Sequence, residues 1–285
     1  MSEWPFHPGE LEAQERAGGG AGGGGIRDFM SDQHRAFFEA LPFVVVASVD
    51  AGWPAATILA GEPGFVRAPD AWTLRIAAPL DAADPALESL VACAPVGLLG
   101  IELATRRRNR ANGLVVSADA GELVVDVRQS FGNCPKYIHP REIRRVAPRL
   151  LAVESLRRLD PDAARMVSTA DTFFIASAAR VAEANGGVDV SHRGGPPGFV
   201  RVEGDTLTIP DFEGNRYFNT LGNLVANPRA ALLFVDFEGG DLLHLRGTTE
   251  IVWDGPELGR FPGAERLWRL HVDRAWRRRA ALEIR

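Results

Sequence analysis

An internal repeat with an offset of 134 residues constrains the fold of this chain more than any other feature. The string PGFVR occupies residues 63–67 and recurs at residues 197–201. At the same offset, residues 96–113 (VGLLGIELATRRRNRANG) align with residues 230–247 (AALLFVDFEGGDLLHLRG), with identities at two leucines and a glycine. This offset is too long for a solenoid period, so the repeat indicates a duplicated domain.

Each copy has the pattern of short strands joined by turns, with one short helix. Apolar runs at 43–49 and 172–178 have the length and the Val, Ile and Phe content of strands. The helix of the first copy is expected to begin at Asp84, where proline follows, and that of the second to be capped by Asn219 or Thr220. The sequence therefore predicts a mainly β (α+β) protein of two small antiparallel barrels.

The segments outside the barrels follow from local signals. Residues 31–41 are expected to form a helix, Asp160 to start another, and the string RLWRLHV to form a closing strand. The run Gly18–Gly25 has the composition of a flexible linker. The predicted organisation is an N-terminal segment with the glycine-rich linker (1–30), a first barrel copy (31–128), a connector (129–160) and a second copy carrying the main site (161–285).

Charge and composition exclude several classes of protein. A formal net charge of −5 and a pI near 5.7 argue against a general nucleic-acid binder. The apolar runs are too short to span a bilayer, and the N-terminus lacks the features of a signal peptide. Cys93 and Cys134 allow at most one disulfide, so a cytoplasmic, reduced chain without membrane or nucleic-acid partners is expected.

Polar residues are densest in the second copy, where a turn enters the short helix. Backbone N–H groups at such a helix start, together with the helix dipole, favour a phosphate or a carboxylate, and Arg193 or Arg216 would add a bidentate clamp. The alternative is that the asparagines and glycines only make the turn and that the arginines are solvated. His192, considered alone, is interpreted as a histidine whose hydrogen bonds are satisfied within a turn rather than as a catalytic residue. The candidates at this turn are Asn215, Arg216, Asn219, Thr220 and Asn223.

The string TRRRNR at 105–110 is the most basic segment. In an acidic protein it is interpreted as a solvated strand end or hairpin tip. The alternative is an anion site, or a rim that docks the phosphate of a ligand.

The string SFGNCPKYI at 130–138 lies between the two copies. A single cysteine without a nearby ligand argues against a metal site, and no His–Asp pattern supports a nucleophile. It is interpreted as a rigid turn that offers Lys136 and Tyr137 to a phosphate and a ring. The alternative is a linker in which Tyr137 and Ile138 only pack.

The combination of these strings resembles the pyridoxamine 5′-phosphate oxidase-like flavin-nucleotide-binding proteins, in their two-barrel subgroup. The resemblance implies tandem FMN-binding split β-barrels of that type, usually dimeric, with the flavin in a groove between barrels. It extends over nearly the whole chain. The strings that carry it are residues 4–18, 32–66, 97–113, 130–138, 190–202 and 214–234.

The resemblance also implies where the phosphate is held. Relatives use a strand arginine and a Ser-Arg-Lys turn, whereas residues 217–223 of this chain lack that lysine. Arg193, Arg216 or Lys136 would have to compensate. Residues 78–90 of the first copy contain no basic residue, so one FMN per chain is expected, on the second copy and covered by parts of the first.

The resulting prediction is an FMN-binding flavoprotein and flavin-dependent oxidoreductase of unknown substrate. Vitamin B6 oxidase activity is not predicted, because the substrate motif of those enzymes is not matched. A separate reductase and a homodimer are the expected partners, and Ser191, His192, Cys134 or Tyr137 is expected at the ring edge. The predicted cofactor contacts are Ser191, His192, Arg193, Gly194, Asn215, Arg216, Asn219, Thr220, Asn223, Lys136, Tyr137 and Cys134.

Three alternatives stay open at this point. The protein could be a non-catalytic flavin carrier or sensor, or a relative that binds a deazaflavin or haem. Haem would need an axial histidine, for which His192, His244 and His271 are the candidates. The third alternative is a degenerate barrel that binds nothing.

Overall fold

The computed structural model describes residues 5–119, 121–149, 152–180 and 185–285, and two antiparallel sheets dominate it. The first sheet has the strand order β2-β1-β5-β6-β7-β4-β3. Its β1–β2 and β3–β4 hairpins arise where apolar strand runs are separated by tight turns. The strands are β1 (Phe43–Asp50), β2 (Trp53–Ala60), β3 (Val66–Arg67), β4 (Thr73–Ile76), β5 (Pro95–Glu102), β6 (Arg107–Ala118) and β7 (Leu123–Gly132).

The connector carries two short strands, β8 (Val146–Pro148) and β9 (Glu154–Leu156), and leads into the second sheet. The second sheet has the order β11-β10-β14-β15-β16-β13-β12, and β9 adds to β16. The predicted closing strand is the long β16, and β17 (Leu282–Ile284) pairs with β8. The strands of the second sheet are β10 (Thr172–Ala178), β11 (Val188–Gly194), β12 (Arg201–Glu203), β13 (Thr206–Phe212), β14 (Arg229–Val235), β15 (Leu242–Val252) and β16 (Ala264–Arg278).

The two sheets have the same strand order, position by position. Thr57 on β2 lies opposite Val46, and Ser191 on β11 lies opposite Ile175. Val46 and Ile175 in turn pair with the leucines that the sequence repeat aligns. The register therefore makes Thr57 and Ser191 equivalent positions of the two sheets.

The mainly β character with few helices is confirmed, whereas closure into barrels is not seen. Within the described ranges, each hydrogen-bonded strand order ends at two edge strands rather than returning on itself. Each sheet covers a core of its own, and a third apolar cluster lies between the sheets. This third cluster includes Val45, Leu99, Phe174, Val190 and Leu233, so the two copies are joined by a continuous buried interface.

Four α-helices lie outside the sheets in the described residues. The helices predicted over residues 31–41 and from Asp160 are both found. The side chains of Ser31 and Asp160 cap them, since each accepts a backbone N–H from the first turn of its helix. Among the residues that the structure describes, no helix is long and apolar enough to cross a membrane. The helices are α1 (Pro8–Arg16), α2 (Asp32–Glu39), α3 (Pro161–Thr169) and α4 (Asn219–Ala226).

Two helix predictions are wrong. The cap of α4 is Phe218, in the left-handed region at φ 61°, with no side-chain cap, so neither Asn219 nor Thr220 plays that role. The helix predicted at Asp84 is absent, because the described residues 81–92 form turns. Asp84 accepts from the Ala86 backbone N–H at 3.0 Å in a tight turn, and distant side chains hold the rest of its carboxylate.

The N-terminal segment packs on the second copy. The backbones of α1 and α4 approach closely, since a Cβ added at Gly9 would lie 2.4 Å from the carbonyl oxygen of Gly222. Arg216 donates to the carbonyl oxygens of Ala17 at 2.9 Å and Gly19 at 2.6 Å. The glycine-rich run, which composition predicted to be a flexible linker, is thus hydrogen-bonded along the surface beside α4.

Candidate functional site

A cavity of about 70 Å³ lies where the two sheets, the connector and α4 meet. Its walls are β6 of the first sheet, residues 133–134 of the connector, and the β11, β13 and α4 region of the second copy. We call this cavity the junction site. The basic and amide side chains that line it are Arg108, Arg110, Asn133, His192, Arg193, Asn215, Arg216, Asn219 and Arg266.

The alternation of side chains along β6 decides which arginines of the basic string enter the junction site. Arg108 and Arg110 lie on one face of the strand and line the cavity. Arg107 is exposed on the other face, with its guanidinium 5.2 Å from the ring centre of Phe37. The prediction of a solvated strand end is therefore wrong for Arg110, which is only 6 % exposed, and for Arg108.

Arg108 links the connector to the second sheet. Its Nε donates to the carbonyl oxygen of Cys134 at 2.9 Å, and its Nη1 donates to Nδ1 of His192 at 2.9 Å. Burial, with the neighbouring charges of Arg110 and Arg193, lowers the pKa of Arg108 to about 9. The guanidinium is still charged at neutral pH, and a bound anion would favour that charge.

Arg110 belongs to a buried polar chain that crosses from the first sheet to the second. It donates to Asp189 at 3.3 Å and to the hydroxyl of Ser191. Ser191 shares a hydrogen bond of 2.8 Å with Thr220 on α4, and Asn223 donates to the other oxygen of Asp189 at 2.8 Å. These contacts fix the first turn of α4 against β6.

The charges around the cavity do not cancel. Arg266 donates to Asp211 at 2.8 Å and to Glu265 at 2.8 Å, and Arg193 lies 3.4 Å from Asp211. Among the described residues, five lining guanidinium groups face three carboxylates, those of Asp189, Asp211 and Glu265. The excess of two positive charges matches the charge of a phosphate monoester dianion.

Glu10 of α1 reaches the same region and adds little negative charge at neutral pH. Asn219 donates to Glu10, and so does the backbone N–H of His7 at 2.9 Å. Burial first, and then the charge of Asp189, raises the pKa of Glu10 to about 8 in spite of these hydrogen bonds. Glu10 is therefore mostly protonated where the first turn of α4 faces the cavity.

Buried donors without a partner concentrate at the junction site. In the described part of the chain, no acceptor lies within hydrogen-bond distance of Nε of Arg110, Nε of Arg193, Nδ2 of Asn133 or Nε2 of His192. An unsatisfied buried polar group costs about 1–3 kcal/mol. An anion that accepts from these groups would recover that cost, so the residues present fit a phosphate.

The connector approaches the site through residues 134–137. A second cavity, of about 50 Å³, shares Arg108 and His192 with the first and is also lined by Tyr137 and Phe212. The rings of Tyr137 and Phe212 stack with centres 5.2 Å apart. A Cβ at Gly194 would lie 2.0 Å from the carbonyl oxygen of Tyr137, so the connector fits against β11 only with glycine there.

The predicted site residues differ in where the structure places them. Lys136 is exposed and paired with Glu213 at 2.7 Å, and Arg216 is engaged with the glycine-rich run. Asn215 accepts the backbone N–H of Tyr217 at 3.2 Å, which makes the turn. The residues that the structure brings to or beside the junction site are Cys134, Ser191, His192, Arg193, Asn215, Arg216, Asn219, Thr220 and Asn223.

Several residues of the junction site were missed at the level of sequence. Asp189 lies two positions before the predicted Ser191 on β11, and Arg110 lies two positions after Arg108 on β6, so strand alternation was the available signal for Asp189 and Arg110. Arg266 of β16 gave no such signal, because it meets Asp211 only through strand pairing.

The equivalent place in the first sheet has a different chemistry. Thr57, which corresponds to Ser191, donates to Asp84 at 2.5 Å. Arg278 donates to the same oxygen of Asp84 at 2.7 Å and to Asp81 at 2.6 Å. His244 holds the strand position that corresponds to Arg110. We call Thr57, Asp84, Arg278 and His244 the first-sheet counterpart.

In the described part of the chain, no group of three His, Cys, Asp or Glu side chains is arranged to hold a metal ion. His244 bonds the carbonyl oxygen of Ala56 at 3.0 Å and stacks on Trp276, and His271 contacts Thr206. Neither histidine faces the junction site.

Comparison with known proteins finds a family profile that matches part of the chain. Residues 159–285 match the sequence profile described as Pyridoxamine 5′-phosphate oxidase, which confirms the resemblance over this part of the sequence. No curated protein matches the chain.

Solved structures resemble about half of the chain. A FAD-binding protein from Mesorhizobium loti is 16 % identical, with 45 % of this chain and 99 % of that chain covered and a TM-score of 0.31. The FAD binding protein from Mycobacterium smegmatis is 16 % identical, with 44 % and 98 % covered and a TM-score of 0.29. HutZ, the heme storage protein from Vibrio cholerae, is 15 % identical, with 45 % and 94 % covered and a TM-score of 0.30.

Proposed function

Since residues 159–285 match the pyridoxamine 5′-phosphate oxidase family, we propose that the protein binds a flavin at the junction site, with FMN as the form bound. We further propose that it is a flavin-dependent oxidoreductase. The two sheets of equal strand order are, in this proposal, products of an internal duplication.

One observation carries the proposal. The unpaired buried donors of Arg110, Arg193 and His192 converge beside the first turn of α4, in a cavity with an excess of positive charge. A cavity of about 70 Å³ suits a phosphate group rather than a whole flavin. The rest of the ligand would extend toward the connector.

Residues of both copies would hold the ligand. Arg108, Arg110 and Arg193 would bind the phosphate, together with backbone N–H groups at the start of α4. The stacked pair of Tyr137 and Phe212 lies beside the adjoining cavity and would contact the apolar part. When bound, the flavin supplies hydride or electron transfer, and the protein supplies binding and orientation.

The first-sheet counterpart supports a stoichiometry of one flavin per chain. There, Asp84 already occupies the place beside Thr57 and Arg278. A second anion would have to displace a buried carboxylate and would meet no excess of positive charge.

The test is a visible absorption spectrum of the purified protein, followed by release and chromatography of the ligand. The ligand-free protein is then titrated calorimetrically with FMN, FAD and riboflavin. We expect flavin bands, release of FMN, tighter binding of FMN than of riboflavin, and one site per chain. A protein that stays colourless and binds none of the three flavins would overturn the proposal, and a haem spectrum would replace it.

The oxidoreductase part has its own test. The flavin-loaded protein is mixed anaerobically with NADH, NADPH and a chemical reductant, and bleaching of the flavin band is followed. We expect reduction and then reoxidation by an added acceptor. A flavin that only the chemical reductant bleaches, and that no acceptor reoxidises, would favour a carrier.

A further inference from the structure

The ring of His192 has a defined tautomer. Nη1 of Arg108 lies 2.9 Å from Nδ1 of His192. A guanidinium can only donate hydrogen bonds, so Nδ1 must accept. The neutral imidazole therefore carries its proton on Nε2.

This Nε2–H donor is buried and has no protein partner. His192 is 4 % exposed, and within the described ranges no acceptor lies in reach of Nε2. His244, the other buried histidine with a free Nε2, shows the opposite arrangement. Its Nδ1 faces the carbonyl oxygen of Ala56 and must donate, which leaves an acceptor at Nε2. Of these two histidines, His192 is thus the one that offers an unpaired donor.

The surroundings keep His192 neutral. Burial first, and then the charges of Arg108 and Arg193, hold the pKa of His192 well below its ordinary value. His139 and Arg141 act in the same direction. His192 is therefore a directional donor that adds no charge, in contrast to the arginines around it.

The side chain of His192 borders two neighbouring cavities. His192 lines the junction site and also the adjoining cavity beside Tyr137. Arg193 follows it on β11, and Arg108 bonds it from β6, so the ring lies among the groups that would bind an anion.

We propose that His192 is a ligand-binding residue whose Nε2–H donates to an oxygen of the flavin phosphate, an inference that rests on the proposed function. The arginines then supply the charge, and His192 supplies a neutral hydrogen bond of fixed direction. The recognised chemistry is a phosphate monoester.

The variant His192→Asn separates this role from a structural one. The amide oxygen can still accept from Arg108, whereas the donor at the Nε2 position is lost. We expect the affinity for FMN to fall about tenfold to a hundredfold, as for a hydrogen bond to a charged group, and that for riboflavin to stay unchanged. His244→Asn, which removes a buried histidine outside the site, should alter neither affinity.

Two outcomes would overturn the proposal. Equal losses of FMN and riboflavin affinity would mean that His192 contacts a part of the ligand other than the phosphate, and unchanged FMN affinity would mean that His192 has only a structural role.

A second measurement does not depend on flavin binding. In ¹⁵N-labelled wild-type protein, the Nε2 resonance of His192, identified by its absence from His192→Asn, should shift on titration with inorganic phosphate.

The second measurement distinguishes a failure of the proposed flavin binding from a failure of the proposed contact between His192 and phosphate. A shift with phosphate, in a protein that binds no flavin, would refute the proposed function and keep the phosphate contact of His192. No shift with phosphate and no FMN-specific loss in His192→Asn would refute the contact.

Discussion

The junction site and the first-sheet counterpart occupy equivalent registers of two sheets with one strand order, yet they differ in charge balance. In the junction site, arginines outnumber carboxylates and several donors are unpaired. In the counterpart, a single guanidinium, that of Arg278, is held between Asp81 and Asp84. The same backbone framework thus carries an excess of positive charge in one place and a guanidinium neutralised by carboxylates of the same chain in the other.

The comparison shows that the strand framework does not by itself make a binding site. Ser191 and Thr57 are both hydroxyl residues at matching positions. Ser191 shares a hydrogen bond with Thr220 on α4, and Thr57 donates to Asp84 in the turn that replaces the helix in the first copy. What differs is the balance of charge around these hydroxyls. Asp84 accepts from both Thr57 and Arg278 in the first-sheet counterpart, whereas five guanidinium groups face three carboxylates at the junction site.

The largest expected effect is a loss of stability from a substitution in the first-sheet counterpart. Arg278→Ala would leave Asp84, which is 1 % exposed, as a buried charge without its main partner. We expect a loss of about 3–5 kcal/mol in the free energy of unfolding, measured by urea denaturation. The neighbouring Arg279→Ala, at a residue that is 56 % exposed, should cost far less. Equal losses in the two variants would contradict internal neutralisation.

The second effect concerns Glu10 beside the junction site. Its pKa is about 8 in the folded protein against 4.5 for the ordinary group. The unfolded chain therefore loses its proton first, and stability should fall as pH rises from about 5 to 8, by roughly 2–4 kcal/mol. Glu10→Gln should flatten this dependence, and exposed Glu12→Gln should leave it. Urea unfolding at pH 5, 6.5 and 8.5 is the measurement, and equal slopes in Glu10→Gln and wild type would be the contrary result.

The third effect compares two neighbouring arginines of β6. Arg108→Ala removes a group that lines the junction site, whereas Arg107→Ala removes one on the opposite face. We expect FMN affinity to fall about tenfold to a hundredfold in the first variant and to stay within about twofold in the second. Calorimetric titration checks this. Equal losses in both variants would indicate that net charge alone governs binding.

The smallest effect is expected at the connector. Lys136 is exposed and paired with Glu213, away from the buried donors. Lys136→Ala should change FMN affinity by less than about twofold, since exposed ion pairs contribute little. A loss as large as that of Arg108→Ala would restore Lys136 as the phosphate ligand that the sequence suggested.

Local patterns in the sequence predicted much of the fold. The aligned strings at an offset of 134 correspond to sheets of identical strand order. The helix starts at Ser31 and Asp160 were predicted correctly because a helix start depends on only a few neighbouring residues. The alternation in RLWRLHV gave β16 for the same reason.

The failures come from contacts that are distant in sequence. Asp84 followed by proline is a good helix start, yet its carboxylate is held by Thr57 and Arg278 instead. Arg110 looked solvated within a basic string until pairing with Asp189, 79 residues away, buried it. Overall acidity gave no information on where positive charge is concentrated.

The two walls of the junction site are parts of one polypeptide, with Arg110 on one and Ser191 on the other. In a symmetric dimer of identical chains, every substitution appears in both chains, so a residue cannot be changed in one wall of a site without being changed in the other chain as well. In this chain a substitution appears once. Each half of the chain can therefore accumulate substitutions that would be harmful at the equivalent position of the other half. Because the two walls are covalently linked, dilution of the protein cannot separate them.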